Sequence, residues 1–142
     1  MATFETEAPT VDQVRELLEA WTATHPAVVV EREGAVVAFA WTSLYRARNC
    51  YAGIAEFSVY VERSARGTGA GRRALETLFV EAEARGFWKL VSRVFPENAA
   101  SRALCRSTGF REVGVYRRHG KLDGEWRDVV IVEKLLGPAA RP

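Results

Sequence analysis

The chain has 142 residues, a length that fits one domain. Hydrophobic residues make up 48% and charged residues 27%, enough apolar material for one core, which excludes a disordered chain or a disulfide-stapled miniprotein. Twenty Lys and Arg against 18 Asp and Glu leave a net charge of +2, which gives no support to a nucleic-acid or anionic-membrane binder.

Two cysteines, Cys50 and Cys105, are too few for a disulfide framework or a metal cluster, and they fit a reducing cytosol. The first residues carry acids, Glu5 and Glu7, where a targeting peptide carries bases. The longest apolar stretch, Gly34–Trp41, falls far short of the roughly 20 residues a membrane-spanning helix needs. A cytoplasmic protein without membrane, nucleic-acid or metal partners is expected.

The stretch to Pro9 is polar and reads as a loop. Thr10 and Gln13 form a capping-box signature, and Val14, Leu17, Leu18 and Trp21 follow at helical spacing, which predicts a helix over 11–23. His25-Pro26 breaks it. Apolar, β-branched runs at 27–31 and 35–43 flank a short turn at Arg32-Glu33-Gly34 and predict a β-hairpin. Residues 53–62 alternate, with Ala55, Phe57, Val59 and Val61 on one strand face and Glu56, Ser58, Tyr60 and Glu62 on the other.

A glycine-rich loop follows at 63–71, and behind it Ala74, Leu75, Leu78, Phe79 and Ala82 mark a helix that stops at Gly86. A strand is predicted at 87–95. Asn98 is the N-cap of a second helix through Thr108, stopped by Gly109. Two closing strands, 110–118 and 126–135, are joined by a polar turn at Lys121–Gly124, and residues 138–142 read as a loose tail behind a single domain of residues 1–137. The pattern is a mixed α/β fold with antiparallel hairpins and one strand–loop–helix–strand crossover.

Strand, glycine-rich turn and helix is a phosphate-binding arrangement, because glycines admit a close ligand and the helix start presents unpaired N–H groups. A nucleoside-triphosphate loop needs Gly-Lys-Ser/Thr, and here Arg72-Arg73 follow Gly71. A dinucleotide fingerprint fits poorly, since the third glycine comes one residue early. Arg66, Gly69 and Gly71 match Arg/Gln-x-x-Gly-x-Gly/Ala, the template for the pyrophosphate of coenzyme A. A merely flexible loop is the other reading.

Four stretches together carry a family resemblance: Tyr45–Tyr51, Glu56–Val61, the loop at 64–71, and Pro96–Ser101 running on to Gly109-Phe110; Asp123–Val129 also fits. With them the chain resembles the GNAT-superfamily acetyl-CoA-dependent N-acetyltransferases, within them those acting on phosphinothricin, methionine sulfoximine and arsinothricin. The resemblance implies a GNAT acyl-CoA N-acyltransferase fold, acetyl-CoA as co-substrate and no metal. It implies a small anionic amino acid or analogue as the amine substrate, a part in antibiotic or herbicide resistance, and a homodimer.

The resemblance implies Glu56 as general base, since an amine arriving as ammonium must lose a proton before it attacks. Val59 and Val61 would bond the pantetheine arm through their main chain. Arg66, Gly67, Thr68, Gly69, Ala70, Gly71 and Arg72 would surround the pyrophosphate, with Asn98 and Ser101 also on the cofactor. Tyr45, Arg46, Arg48 and Tyr51 would hold the substrate, guanidinium forks suiting its anionic groups. Trp126 and Tyr116 are candidates for the same cavity, though aromatics in closing strands are usually core, and His25 and His119 read as surface residues. Where relatives place a tyrosine or histidine general acid, this chain has Cys105, a weaker donor.

A catalytically silent acyl-CoA-binding module stands as the alternative, while acetylation of a protein N-terminus or lysine is disfavoured by the Arg46/Arg48 pair. The resembled enzymes reach a Thr-Phe-Glu-x-Glu stretch only after a first strand and helix, whereas here Thr3–Glu7 follows Met1 directly. The resemblance thus implies that the family's first strand and helix are missing. Strand 27–31 would then be a bare sheet edge, covered by a partner chain or by residues upstream of a misassigned start.

Overall fold

The computed structural model describes Asp12, residues 25–46 and residues 48–141. The helix expected over 11–23 lies outside the described residues, apart from Asp12, which is helical.

The first hairpin forms as its sequence predicts. β1 (Ala27–Arg32) and β2 (Ala35–Leu44) pair antiparallel around Glu33 and Gly34, both at positive φ, 52° and 80°. That two-residue turn matches the twist of the strands it joins. β3 (Ile54–Val61) runs antiparallel to β2, and β4 (Lys89–Val94) lies parallel to β3. A parallel pair needs a crossover, and α1 (Ala70–Ala84) supplies it. β6 (Glu125–Leu135) returns antiparallel to β4 and carries β5 (Arg111–Leu122) on its outer side, giving the order β1-β2-β3-β4-β6-β5. α2 (Ala99–Ser107) links β4 to β5.

The core follows from the two periodicities. Ala74, Leu75, Leu78 and Ala82 line the buried face of α1. They meet Ala38, Ala40, Ala55, Phe57, Leu90, Val130 and Val132 from one sheet face, with the small alanines bringing helix and sheet close. Glu56, Ser58 and Tyr60 fall on the opposite face, where Phe39, Val36, Trp41 and Tyr60 form a smaller cluster. Both chain-end glycines of the crossover, Gly69 and Gly86, take the positive φ their positions require, each at 87°.

β4 is shorter than the expected 87–95, and the larger departure from the sequence reading is at β5. β5 runs on to Leu122, through a bulge in which Arg118 has φ 49° and donates its N–H to Asp128 Oδ1 at 2.8 Å. The bulge absorbs the extra residues, so the turn shrinks to Asp123 and Gly124. At the chain end, Leu136 is buried and residues Gly137–Ala140 close in a 3-10 turn. His25 is half-buried against Phe87, with ring centroids 5.8 Å apart, whereas His119 is exposed beside Tyr116. Burial and the Arg85 guanidinium hold the His25 imidazole below its ordinary pKa.

Candidate active site

β3 and β4 pair only at their beginnings, Ile54 with Lys89, Ala55 with Leu90 and Glu56 with Val91. Both strands continue beyond that point and part company. The gap between them is a cleft of about 1120 Å³, walled by Phe57–Val61 of β3, Ser92–Val94 of β4 and Leu104 of α2.

The strand geometry decides which main chain faces the gap. Phe57 O accepts from Ser92 Oγ across it at 2.9 Å, while Glu62 N donates to Val37 O on the β2 side at 2.8 Å. Peptide groups alternate sides along a strand, so Val59 and Val61 turn theirs toward the gap. Their side chains stay packed on the core. These are the two strand residues whose main chain was expected to serve a ligand.

The wide end of the cleft is the glycine-rich loop. Glu62 starts it, its carboxylate accepting from Ser64 N at 2.8 Å and from the Ser64 hydroxyl, which holds that carboxyl below its usual pKa. Gly67 and Gly69 take φ of 78° and 87° and turn the chain into α1. The first helical bond is Arg73 N to Gly69 O, at 3.0 Å, and no side chain caps the helix. The N–H groups of Ala70, Gly71 and Arg72 therefore remain for a ligand. Arg63, Arg66 and Arg72 line the same end, and Arg66 Nε reaches Val61 O at 3.4 Å. A Cβ on Gly71 would stand 2.8 Å from Val61 Cγ2 and 3.0 Å from Leu104 Cδ2, so glycine keeps the cradle open there. Among the residues expected at this end, Thr68 and Ala70 do not line the cleft. Thr68 Oγ1 instead accepts from Arg32 Nη1 at 2.8 Å and ties the loop to β1.

α2 forms the second wall. Asn98 caps it, Oδ1 accepting from Ser101 N at 3.1 Å, and both residues line the cleft. Arg102 anchors the helix with a two-pronged bond to Glu112, 2.9 Å at each prong, and a third to Pro96 O. The Cys105 thiol lies buried at the cleft wall, and desolvation pushes its pKa up to about 11.

The narrow end holds a residue that sequence reasoning missed. Glu56 sits on the last β3–β4 ladder pair, outside the cleft lining and next to it, and its Oε1 accepts from Arg93 Nη2 at 2.6 Å. Arg93 lines the cleft, and its place two residues beyond Val91 on an alternating strand was the available signal. Ser58, Tyr60, Ser92 and Leu104 are among the further lining residues beyond the expected set.

The structure does not bring the expected substrate residues to this cleft. Tyr45, Arg46, Arg48 and Tyr51 lie in the β2–β3 connection, Tyr45 and Tyr51 edge to face and Arg46 over the Tyr45 ring at 4.7 Å. Tyr116 and Trp126 stand exposed on the β5–β6 hairpin, away from the cleft, because that hairpin extends past the core. Among the described residues no cluster of His, Cys, Asp and Glu is suited to a metal, and no helix is long and apolar enough to cross a membrane.

A splayed strand pair with a phosphate-type loop at its open end and a paired carboxylate at its vertex defines the candidate site of this mixed α/β fold. The chain belongs to the acetyltransferase (GNAT) family, whose model matches residues 2–110. It is 35% identical to phosphinothricin N-acetyltransferase of Alcaligenes faecalis over 78% of this chain and 57% of that protein, so it spans little more than half that relative's length. Among solved structures it is similar to ribosomal-protein-alanine N-acetyltransferase from Brucella melitensis, with a TM-score of 0.81 and 35% identity over 96% of this chain and 85% of that one. It is also similar to a phosphinothricin acetyltransferase from Sinorhizobium meliloti in complex with acetyl-CoA, with a TM-score of 0.78 and 30% identity over 99% of this chain and 78% of the other.

Proposed function

We propose that the chain is an acetyl-CoA-dependent N-acetyltransferase for the primary amine of a small anionic amino acid or analogue, of the phosphinothricin, methionine sulfoximine or arsinothricin type. One observation carries this reading: the β3–β4 cleft runs from an arginine-lined, uncapped helix start toward the ladder vertex, where Arg93 lines it and holds Glu56 beside it. From Val61 to Glu56 the strand measures about 16 Å at 3.3 Å per residue. An extended pantetheine arm spans that distance, so a coenzyme with its pyrophosphate on Arg66, Gly69 and Arg72 carries its thioester to the vertex.

Acetyl-CoA supplies the activated acetyl group, and the residues here do the rest. Val59 and Val61 guide the arm with main-chain bonds. Glu56 Oε2, without a hydrogen bond among the described residues, takes the proton the amine must shed. Cys105, with its pKa pushed up to about 11, is a poorer acid than the departing coenzyme thiol, so that thiol leaves as the thiolate. Arg46 and Arg48, on the adjoining connection, belong to the substrate's approach in this reading. The homodimer expected from the resemblance belongs to it too, with Val115, Tyr116 and Trp126 exposed for a second copy.

The test is release of free coenzyme A thiol from acetyl-CoA on addition of phosphinothricin, methionine sulfoximine, arsinothricin or an alanine-terminated peptide. Turnover with the small amines and none with the peptide is expected. Turnover with the peptide alone overturns the substrate class, and coenzyme binding without turnover on the whole panel leaves a silent binding module. Glu56→Gln is expected to slow turnover by about 10²-fold at neutral pH.

A further inference from the structure

We infer that Arg93 recognises the carboxylate of an α-amino-acid substrate, and that the Glu56–Arg93 ion pair at the cleft vertex is a seat for a zwitterion. This rests on the reading of Glu56 as the acceptor of the amine's proton.

Register places the two side chains together. Glu56 pairs with Val91, and Arg93 follows two residues on, so all three project from one sheet face. Leu90 and Val94 take the other face and are buried in the core. The ion pair therefore lies where the β3–β4 ladder ends, at the place the strand ruler assigns to the thioester.

The guanidinium is underused in the free protein. It donates one bond, Nη2 to Glu56 Oε1, and among the described residues its other N–H groups have no partner. Its side chain is 45% exposed and that of Glu56 is 29% exposed, so both heads are reachable. Arginine presents a planar fork that meets a carboxylate with two parallel bonds.

Neighbouring charges are held in ion pairs of their own. Glu133, opposite Val91 on β4's other neighbour, is held by Lys89 and Arg111. Arg127 pairs with Glu97 and Glu125 through its Nη atoms, and its buried Nε has no hydrogen-bond partner among the described residues. Arg46 and Arg48 do not line the cleft. Glu56 and Arg93 form an anion–cation pair with open bonding positions on both heads, a complement to the adjacent ammonium and carboxylate of an α-amino acid. Binding exchanges one internal ion pair for two, ammonium on Glu56 and carboxylate on Arg93. Half-exposed pairs contribute little to folding, so the exchange disturbs the fold little. The same exchange frees Oε1, leaving both carboxylate oxygens for the amine.

Calorimetric titration of the full chain, with coenzyme A present, tests this with L-methionine sulfoximine and its decarboxylated amine. Wild type is expected to favour the amino acid at least 10-fold. Arg93→Gln should abolish that preference by weakening the amino acid alone, and Arg93→Lys should restore part of it. Thermal unfolding of each variant monitors folding, and the Lys variant decides the matter if the Gln variant does not fold. No wild-type preference, or equal weakening of both ligands, overturns the inference. Thiol release from acetyl-CoA is measured in parallel. Arg93-dependent discrimination without turnover sinks the transferase reading and keeps the seat, whereas turnover indifferent to Arg93 does the reverse.

Discussion

The Ser92 hydroxyl donates to the Phe57 carbonyl at 2.9 Å, one residue past the last ladder pair of β3 and β4. A side chain thus replaces the main-chain bond that the parting strands give up, and it fixes where the cleft begins. Ser92→Ala leaves Phe57 O without this partner. The expected loss is about 1 kcal/mol in thermal or denaturant unfolding. A several-fold rise in KM for acetyl-CoA should accompany it, because the cleft floor loosens. An unchanged KM would show that the cleft keeps its shape without this bond.

Two glycines separate a binding defect from a folding defect. At Gly71 the added methyl of alanine meets the ends of Val61 and Leu104, both cleft-wall side chains that can shift. Gly71→Ala should fold and raise KM for acetyl-CoA by about 10-fold, equivalent to ~1.4 kcal/mol of binding. At Gly53 the same methyl would lie 1.9 Å from Trp88 Cε3, and Trp88 is pinned by its N–H to Gly53 O at 2.7 Å. Gly53→Ala should destabilise by about 2 kcal/mol or more. Comparing unfolding midpoints with KM distinguishes the two sites.

The thiols differ in environment. Cys50 is exposed and Cys105 is buried with its pKa pushed up to about 11. Since the thiolate is the reactive form, a disulfide reagent at neutral pH should modify one thiol quickly and the other only after unfolding. Cys105→Ala should leave the shape of the pH–rate profile unchanged from about pH 6 to 9. A lost alkaline limb would make the thiol a proton donor after all.

Glu133 joins three strands, accepting from Lys89 of β4 and Arg111 of β5, and these bonds hold its carboxyl below the ordinary value of 4.5. A depressed carboxylate pKa stabilises the fold above the unfolded value, and that contribution fades as pH falls through the folded one. Glu133→Gln should therefore cost about 1 kcal/mol at neutral pH. The gap from wild type should close well below pH 4.5, as acid unfolding curves would show. A constant gap at every pH would assign the loss to packing.

The hairpin at 27–44, the alternation of 54–61 and the loop-to-helix turn at 66–71 were all legible in the sequence, because local patterning and turn chemistry dictate them. So was Asn98 as a helix cap. The match of Arg66, Gly69 and Gly71 to a pyrophosphate template needed no tertiary knowledge either, since the chemistry sits within six consecutive residues. The bulge at Arg118 was not legible: it depends on a bond to Asp128, ten residues away on another strand.

By itself, then, the sequence determined a mixed α/β fold of near-neutral charge with a phosphate-type loop and a carboxylate on its central strand. Only the tertiary structure decided that this carboxylate faces Arg93 and that Arg46 and Arg48 stay outside the cleft. The reason is physical. Residues 37 positions apart become neighbours only through β3–β4 register, and register is set by the whole crossover and its core, which no local pattern encodes.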